Sequence, residues 1–171
     1  YGRVAGVSVG DAWTGDLTPA LATLGAGQTT GFPIAALYAN RLGTGQNQSA
    51  AMAVRKPDTA YQAHGNYCVA YQLKATLRNP DAAPRHYALR LSHPAKVVGD
   101  QPARAAVYLD PPGKPTFWRG PVKLDVDGVA TFTHLTIRHG EEPAPFGTVT
   151  VAGGKTAQVT VTLIYAPDAT P

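Results

Sequence analysis

The chain carries 171 residues, 15 Lys and Arg against 11 Asp and Glu for a net charge of +4, and 18 Gly with 15 Pro. Apolar residues make up 44% and charged residues 15%, which excludes a disordered chain, since such chains are apolar-poor and charge-rich. Collagen and coiled coil are excluded by the lack of a Gly-X-Y period and of charged heptads, and apolar runs such as Ile34–Ala39 fall far short of the ~20 residues of a transmembrane helix.

Period-two alternation, the mark of half-buried strands, dominates the chain. Arg3 to Val9 reads as a first strand. Thr14 to Gly31 is rich in Thr, Gly and Ala, with one short helical turn after Thr18-Pro19, because proline suits the first helical positions. Phe32 to Tyr38 reads as extended and Leu42 to Ala50 as loop. Tyr67, Val69, Tyr71, Leu73, Ala75 and Leu77 alternate with smaller or polar residues and predict a long strand, stopped by Asn79-Pro80-Asp81. Tyr87, Leu89 and Leu91 predict its return strand, and Ala106 to Leu109 a short one. Val122–Val126 and Val129–Ile137 flank Asp127-Gly128, the strongest short-range hairpin signal. Thr148–Val151 and Gln158–Tyr165 around Gly153-Gly154 predict a last hairpin. Seven to ten short strands with almost no helix predict an all-β fold, an antiparallel β-sandwich with a β-barrel as the alternative, built as one domain over residues 1–171.

The basic residues are scattered, and the tightest pair is Arg55-Lys56. A nucleic-acid binder clusters its cations, so no nucleic-acid partner is expected. Weak attraction to an acidic polymer is the one partner consequence that charge alone allows. The single cysteine, Cys68, rules out an intrachain disulfide and reads as a small buried residue. The chain starts at Tyr1, and no basic segment followed by an apolar stretch marks a signal peptide. The expectation is a C-terminal piece of a longer protein, with any targeting segment upstream.

No catalytic or metal pattern emerges. His64, His86, His93, His134 and His139 have no zinc-ligand spacing, and His134 reads as a packed or edge histidine. Asp125-Val126-Asp127-Gly128 resembles the start of a calcium loop, but its twelfth position is Thr136 rather than Glu, and a hairpin explains it better. Gly154-Lys155-Thr156 lacks the first glycine of a phosphate loop, which would fall at Val149. No cofactor is expected. Glu141-Glu142 reads as a solvated loop.

Two stretches concentrate side chains able to hold a polar ligand. In Asp58 to Tyr67, the candidates are Asp58, Tyr61, His64, Asn66 and Tyr67, with rings to stack and polar groups to orient a sugar or peptide. In the second, Trp118 and Arg119 offer a ring and a guanidinium for stacking or anion binding. Both stretches also have purely structural readings, as turn chemistry and as an edge anchor.

Tyr1-Gly2-Arg3-Val4-Ala5-Gly6-Val7, Leu42-Gly43-Thr44-Gly45-Gln46, Pro57-Asp58-Thr59-Ala60-Tyr61, Ala63-His64-Gly65-Asn66-Tyr67, Leu109-Asp110-Pro111-Pro112, Trp118-Arg119-Gly120 and the terminal Tyr165–Pro171 together resemble the C-terminal part of a cyanobacterial family of exported proteins, domain of unknown function 3370. The resemblance runs the whole length. It implies a periplasmic or outer-envelope location, and it brings no activity, substrate or catalytic residue. The reading is then a non-catalytic structural or interaction module of a cell-envelope protein, whose partner is an envelope component or another domain of the same protein. A carbohydrate-binding module is the alternative, and a hydrolase with a cryptic site around Asp58 and His64 a second one.

Overall fold

The computed structural model describes residues 3–9, 12–34, 37–38, 41–42, 49–64, 69–95 and 106–165. Cys68, Asn66 and Tyr67 lie outside them. The strands are β1 (Gly6–Ser8), β2 (Ala12–Asp16), β3 (Leu37–Tyr38), β4 (Arg41–Leu42), β5 (Ser49–Arg55), β6 (Gln62–His64), β7 (Ala70–Arg78), β8 (Arg85–Leu89), β9 (Thr116–Val126), β10 (Val129–Arg138), β11 (Gly147–Val151) and β12 (Thr156–Ile164). One short helix, α1 (Thr18–Ala22), follows Asp16, whose carboxylate accepts the Thr18 N–H at 2.9 Å.

The main layer is a five-stranded sheet in the order β10-β9-β12-β7-β2. Its inner face carries Tyr71, Leu73, Ala75 and Leu77 from β7, Trp118, Val122 and Leu124 from β9, and Val159, Val161 and Leu163 from β12. The β8–β11 pair lies over this face and adds Val149, Val151, Tyr87 and Leu89. Fully burying an aliphatic side chain contributes ~1.5–3 kcal/mol, and the inner positions of the long strands are filled by such residues. The order is open at both ends, so the fold is sandwich-like and not a closed barrel. A three-stranded sheet, β1-β5-β6, and a β3–β4 ribbon complete the described strands.

The Asp127-Gly128 hairpin forms as the sequence predicts. Both residues have positive φ, 51° and 86°, as a type I′ turn requires. The Asp125 carboxylate accepts the Gly128 N–H and the Asp127 carboxylate accepts the Gln158 N–H, so both acids are used by backbone donors. β9 begins six residues earlier than the alternation predicts, at Thr116.

Two expected hairpins are not local pairs. β7 does not pair with β8, and β11 does not pair with β12. Instead β7 pairs with β12, from Arg78↔Thr156 to Ala70↔Ile164, and β8 pairs with β11, from Arg85↔Val151 to Leu89↔Gly147. Each connection therefore crosses from one layer to the other. Asn79 sits at the first crossing, fully buried. Gly153 and Gly154 make the second, where Gly154 donates its N–H to Asp81. Among the described strands one pair is parallel: β2 runs beside β7 from Ala12↔Ala70 to Asp16↔Lys74. Its Trp13 stacks on Phe32 with centroids 4.9 Å apart and tilts against Tyr71.

Candidate functional site

The Asp58 stretch begins as the turn between β5 and β6. Asp58 has φ 60°, the left-handed region that Asp tolerates better than most residues. Thr59 is buried, and its hydroxyl donates to the Lys56 carbonyl at 2.6 Å. Arg55 reaches back across the turn. Its Nη1 donates to the Thr59 carbonyl at 2.8 Å, and its guanidinium carbon lies 3.9 Å from the centre of the Tyr61 ring. Ala60 N–H donates to Arg3 and Lys56 N–H to Ala5, so the turn is sewn to the segment that enters β1.

Asp58 and Tyr61 thus share one turn, with Tyr61 65% exposed. His64 closes β6 opposite Ser49. Asn66 and Tyr67 lie outside the described residues. Arg55 is a member of this turn cluster that the sequence reading leaves out. Its only signal was the Arg55-Lys56 charge pair, and the ring it covers lies six residues on, past the turn.

Trp118 and Arg119 do not converge on one ligand. Successive residues of a strand point to opposite faces. Trp118 is 3% exposed in the main core, with its indole N–H unpartnered, whereas Arg119 is on the outer face of the five-stranded sheet. The alternation that puts Val122 and Leu124 inward extends back through Gly120 to Trp118. The ring is part of the packing and not a surface platform.

A second constellation lies where the segments after β8 and β10 meet. His93 stacks on Phe117 with rings 9° from parallel, and its Nδ1 lies 3.0 Å from Nδ1 of His139. In such a contact one ring nitrogen donates and the other accepts, with the direction set by the tautomers. Gly140 donates to the His93 carbonyl, Leu109 to Gly140 and Gly113 to His139. Beside this knot is an open cleft of about 380 Å³ lined by Tyr108, Leu109, Asp110, Pro112, Glu141 and Glu142. One Glu141 oxygen already accepts the Arg138 N–H at 2.9 Å. Among the described residues, no three His, Cys, Asp or Glu side chains come together as a metal site.

The electrostatic perturbations are local. The two hydrogen bonds from Thr18 lower the pKa of Asp16 below the usual carboxylate range. Asp81, 2.6 Å from the Arg85 guanidinium, raises the pKa of that arginine.

No helix among the described residues is long and apolar enough to cross a membrane. Neither a curated protein nor a solved structure matches the chain. The model of one family, described as a protein of unknown function, matches it from residue 1 to residue 171, and the chain therefore belongs to the DUF3370 family.

Proposed function

We propose that this single domain is a non-catalytic interaction module of an exported cell-envelope protein, and that it acts through its small three-stranded sheet. One observation carries the reading. Val7 and Val54, directly opposite each other on β1 and β5, are 60% and 64% exposed, and Tyr61 on the adjoining turn is equally open. Val4 and Val9 flank them, also exposed. A paired apolar row on a sheet is normally buried, and a contiguous exposed one marks a contact surface. The ordering of the turn by Arg55 and Thr59 supports this, because a preorganised surface loses less entropy on binding. The periplasmic or outer-envelope setting and a cyanobacterial source belong to the proposal and rest on the resemblance of the segments quoted above.

Co-sedimentation of the purified protein with envelope and peptidoglycan fractions tests it. The expected result is binding that persists at high salt, where charge attraction is screened, and that is lost in Val54→Lys and weakened in Tyr61→Ala. Binding unaffected by Val54→Lys, or none at all, overturns it.

A further inference from the structure

The outer face of the five-stranded sheet carries most of the chain's excess charge. Its membership follows from the register. Phe132, Lys123, Thr162, Gln72 and Thr14 form one row across all five strands. Ala130, Asp125, Thr160, Lys74 and Asp16 form the next. Arg119 opposite Thr136, and Arg78 opposite Thr156, extend the same face, which Arg138 closes at the end of β10. Five cations, Lys74, Arg78, Arg119, Lys123 and Arg138, therefore share the face with two acids. Both acids are already engaged: Asp16 accepts the Thr18 N–H, and Asp125 accepts the Gly128 N–H and lies 3.8 Å from Lys123.

We infer that this face binds an acidic polysaccharide, a chain of uronic-acid type. Lys123 and Lys74 are two strands and one row apart, ~12 Å, close to the Debye length of ~10 Å at 0.1 M salt, so their fields overlap over the surface between them. The groups between the cations are hydroxyls and amides, Thr14, Gln72, Thr160 and Thr162, which suit the hydroxyl-rich edge of a sugar chain. Phe132, 72% exposed beside Lys123, offers a ring face for the C–H side of a pyranose. The shape argues against nucleic acid. A sheet face presents no helix to a groove, and its two rings, Phe132 and His134, stand on one strand with no third to continue the successive stacking that single strands use. This surface is distinct from the exposed row on β1 and β5, so either assignment can fail while the other stands.

The test is binding of the whole protein to polygalacturonate, with uncharged dextran and single-stranded DNA as comparison polymers. Lys74 and Arg119 are exposed and Lys123 is partly exposed beside Asp125, so a K74E/R119E/K123E variant is expected to keep its circular dichroism spectrum with at most a small fall in thermal midpoint. The variant is expected to raise the half-saturating concentration about tenfold or more, the size of effect that three exposed charge reversals give at ~0.5 kcal/mol each. Phe132→Ala is expected to weaken binding without changing its salt dependence. Equal binding of dextran, tighter binding of DNA, or an unchanged triple variant overturns the inference. So does a Val54→Lys variant that loses polygalacturonate as fully as the triple variant does.

Discussion

Asn79 donates a hydrogen bond from its side-chain amide to the carbonyl of Val151, 72 residues away, at 2.9 Å, and both residues are buried. The same amide donates to Ala83, the Asn79 side-chain oxygen accepts the Asp81 N–H, and its backbone N–H donates to Lys155. One side chain thus ties together the two connections that cross between the layers. This explains why β7 and β8 part company. The turn after β7 gives its polar groups to the opposite crossing rather than closing a hairpin.

Replacing Asn79 leaves the buried Val151 carbonyl without this partner, and the Ala83 carbonyl and Asp81 N–H without it at the partly exposed edge of the crossing. A buried polar group deprived of its bond costs ~1–3 kcal/mol. For Asn79→Leu we expect a loss of about 3 kcal/mol, seen as a fall of roughly 10 °C in thermal midpoint for a chain of this size. Asn79→Asp is expected to be worse, because a carboxylate cannot donate to either carbonyl and brings a buried charge. A midpoint within 2 °C of the parent chain, at about 1 kcal/mol or less, would contradict this role.

Two glycines in turns separate crowding from backbone freedom. At Gly153 a β-carbon would lie 2.0 Å from the Ala82 carbonyl oxygen, backbone against backbone at the meeting of the two crossings. At Gly128 the same atom would meet nothing within 4 Å, and only the positive φ of 86° resists it. Gly128→Ala is expected to cost about 1 kcal/mol, the penalty of the left-handed region. Gly153→Ala is expected to cost several times that, or to prevent the layers from docking. Urea unfolding of the two variants measures the difference, and equal midpoints would remove the argument.

The sequence made the long strands legible where their two faces differ. Tyr71, Leu73, Ala75 and Leu77 alternate so clearly that β7 is found within a few residues. Asp127-Gly128 needs positive φ at both positions, and the hairpin follows. Pro19 marks α1. The failures have physical causes. β2 is Ala-Trp-Thr-Gly-Asp, with Gly15 inward because the Trp13 ring lies over it, so no apolar alternation shows. β5, Ser49–Arg55, is exposed along much of its length and lacks the inward apolar face that periodicity detects. Pro121 hides the first half of β9. It sits where the ladder to β12 ends, and that half contains Trp118, whose inward side could have been read by counting back in twos from Val122. Pairing was the hardest part. Alternation reports which residues face inward and says nothing of whether the next strand stays in the same sheet, which here turns on the contacts of Asn79.

Asp16 gives the fold a titratable support at the start of α1. Hydrogen bonds from the Thr18 hydroxyl and then from the Thr18 N–H favour its charged form and lower its pKa below the ordinary carboxylate value. A group whose pKa is lower in the folded state contributes stability above its unfolded pKa, ~3.9, and loses that contribution as the pH falls through the folded value. The group is solvent-exposed, so the effect is small and local. Asp16→Asn should therefore differ from the parent chain at pH 7 and converge with it as the pH falls through the folded value of Asp16. Amide hydrogen exchange at Thr18 and Leu21, measured across that range in both chains, checks the sign. A gap that widens in acid would show that the carboxylate opposes the folded arrangement instead of supporting it.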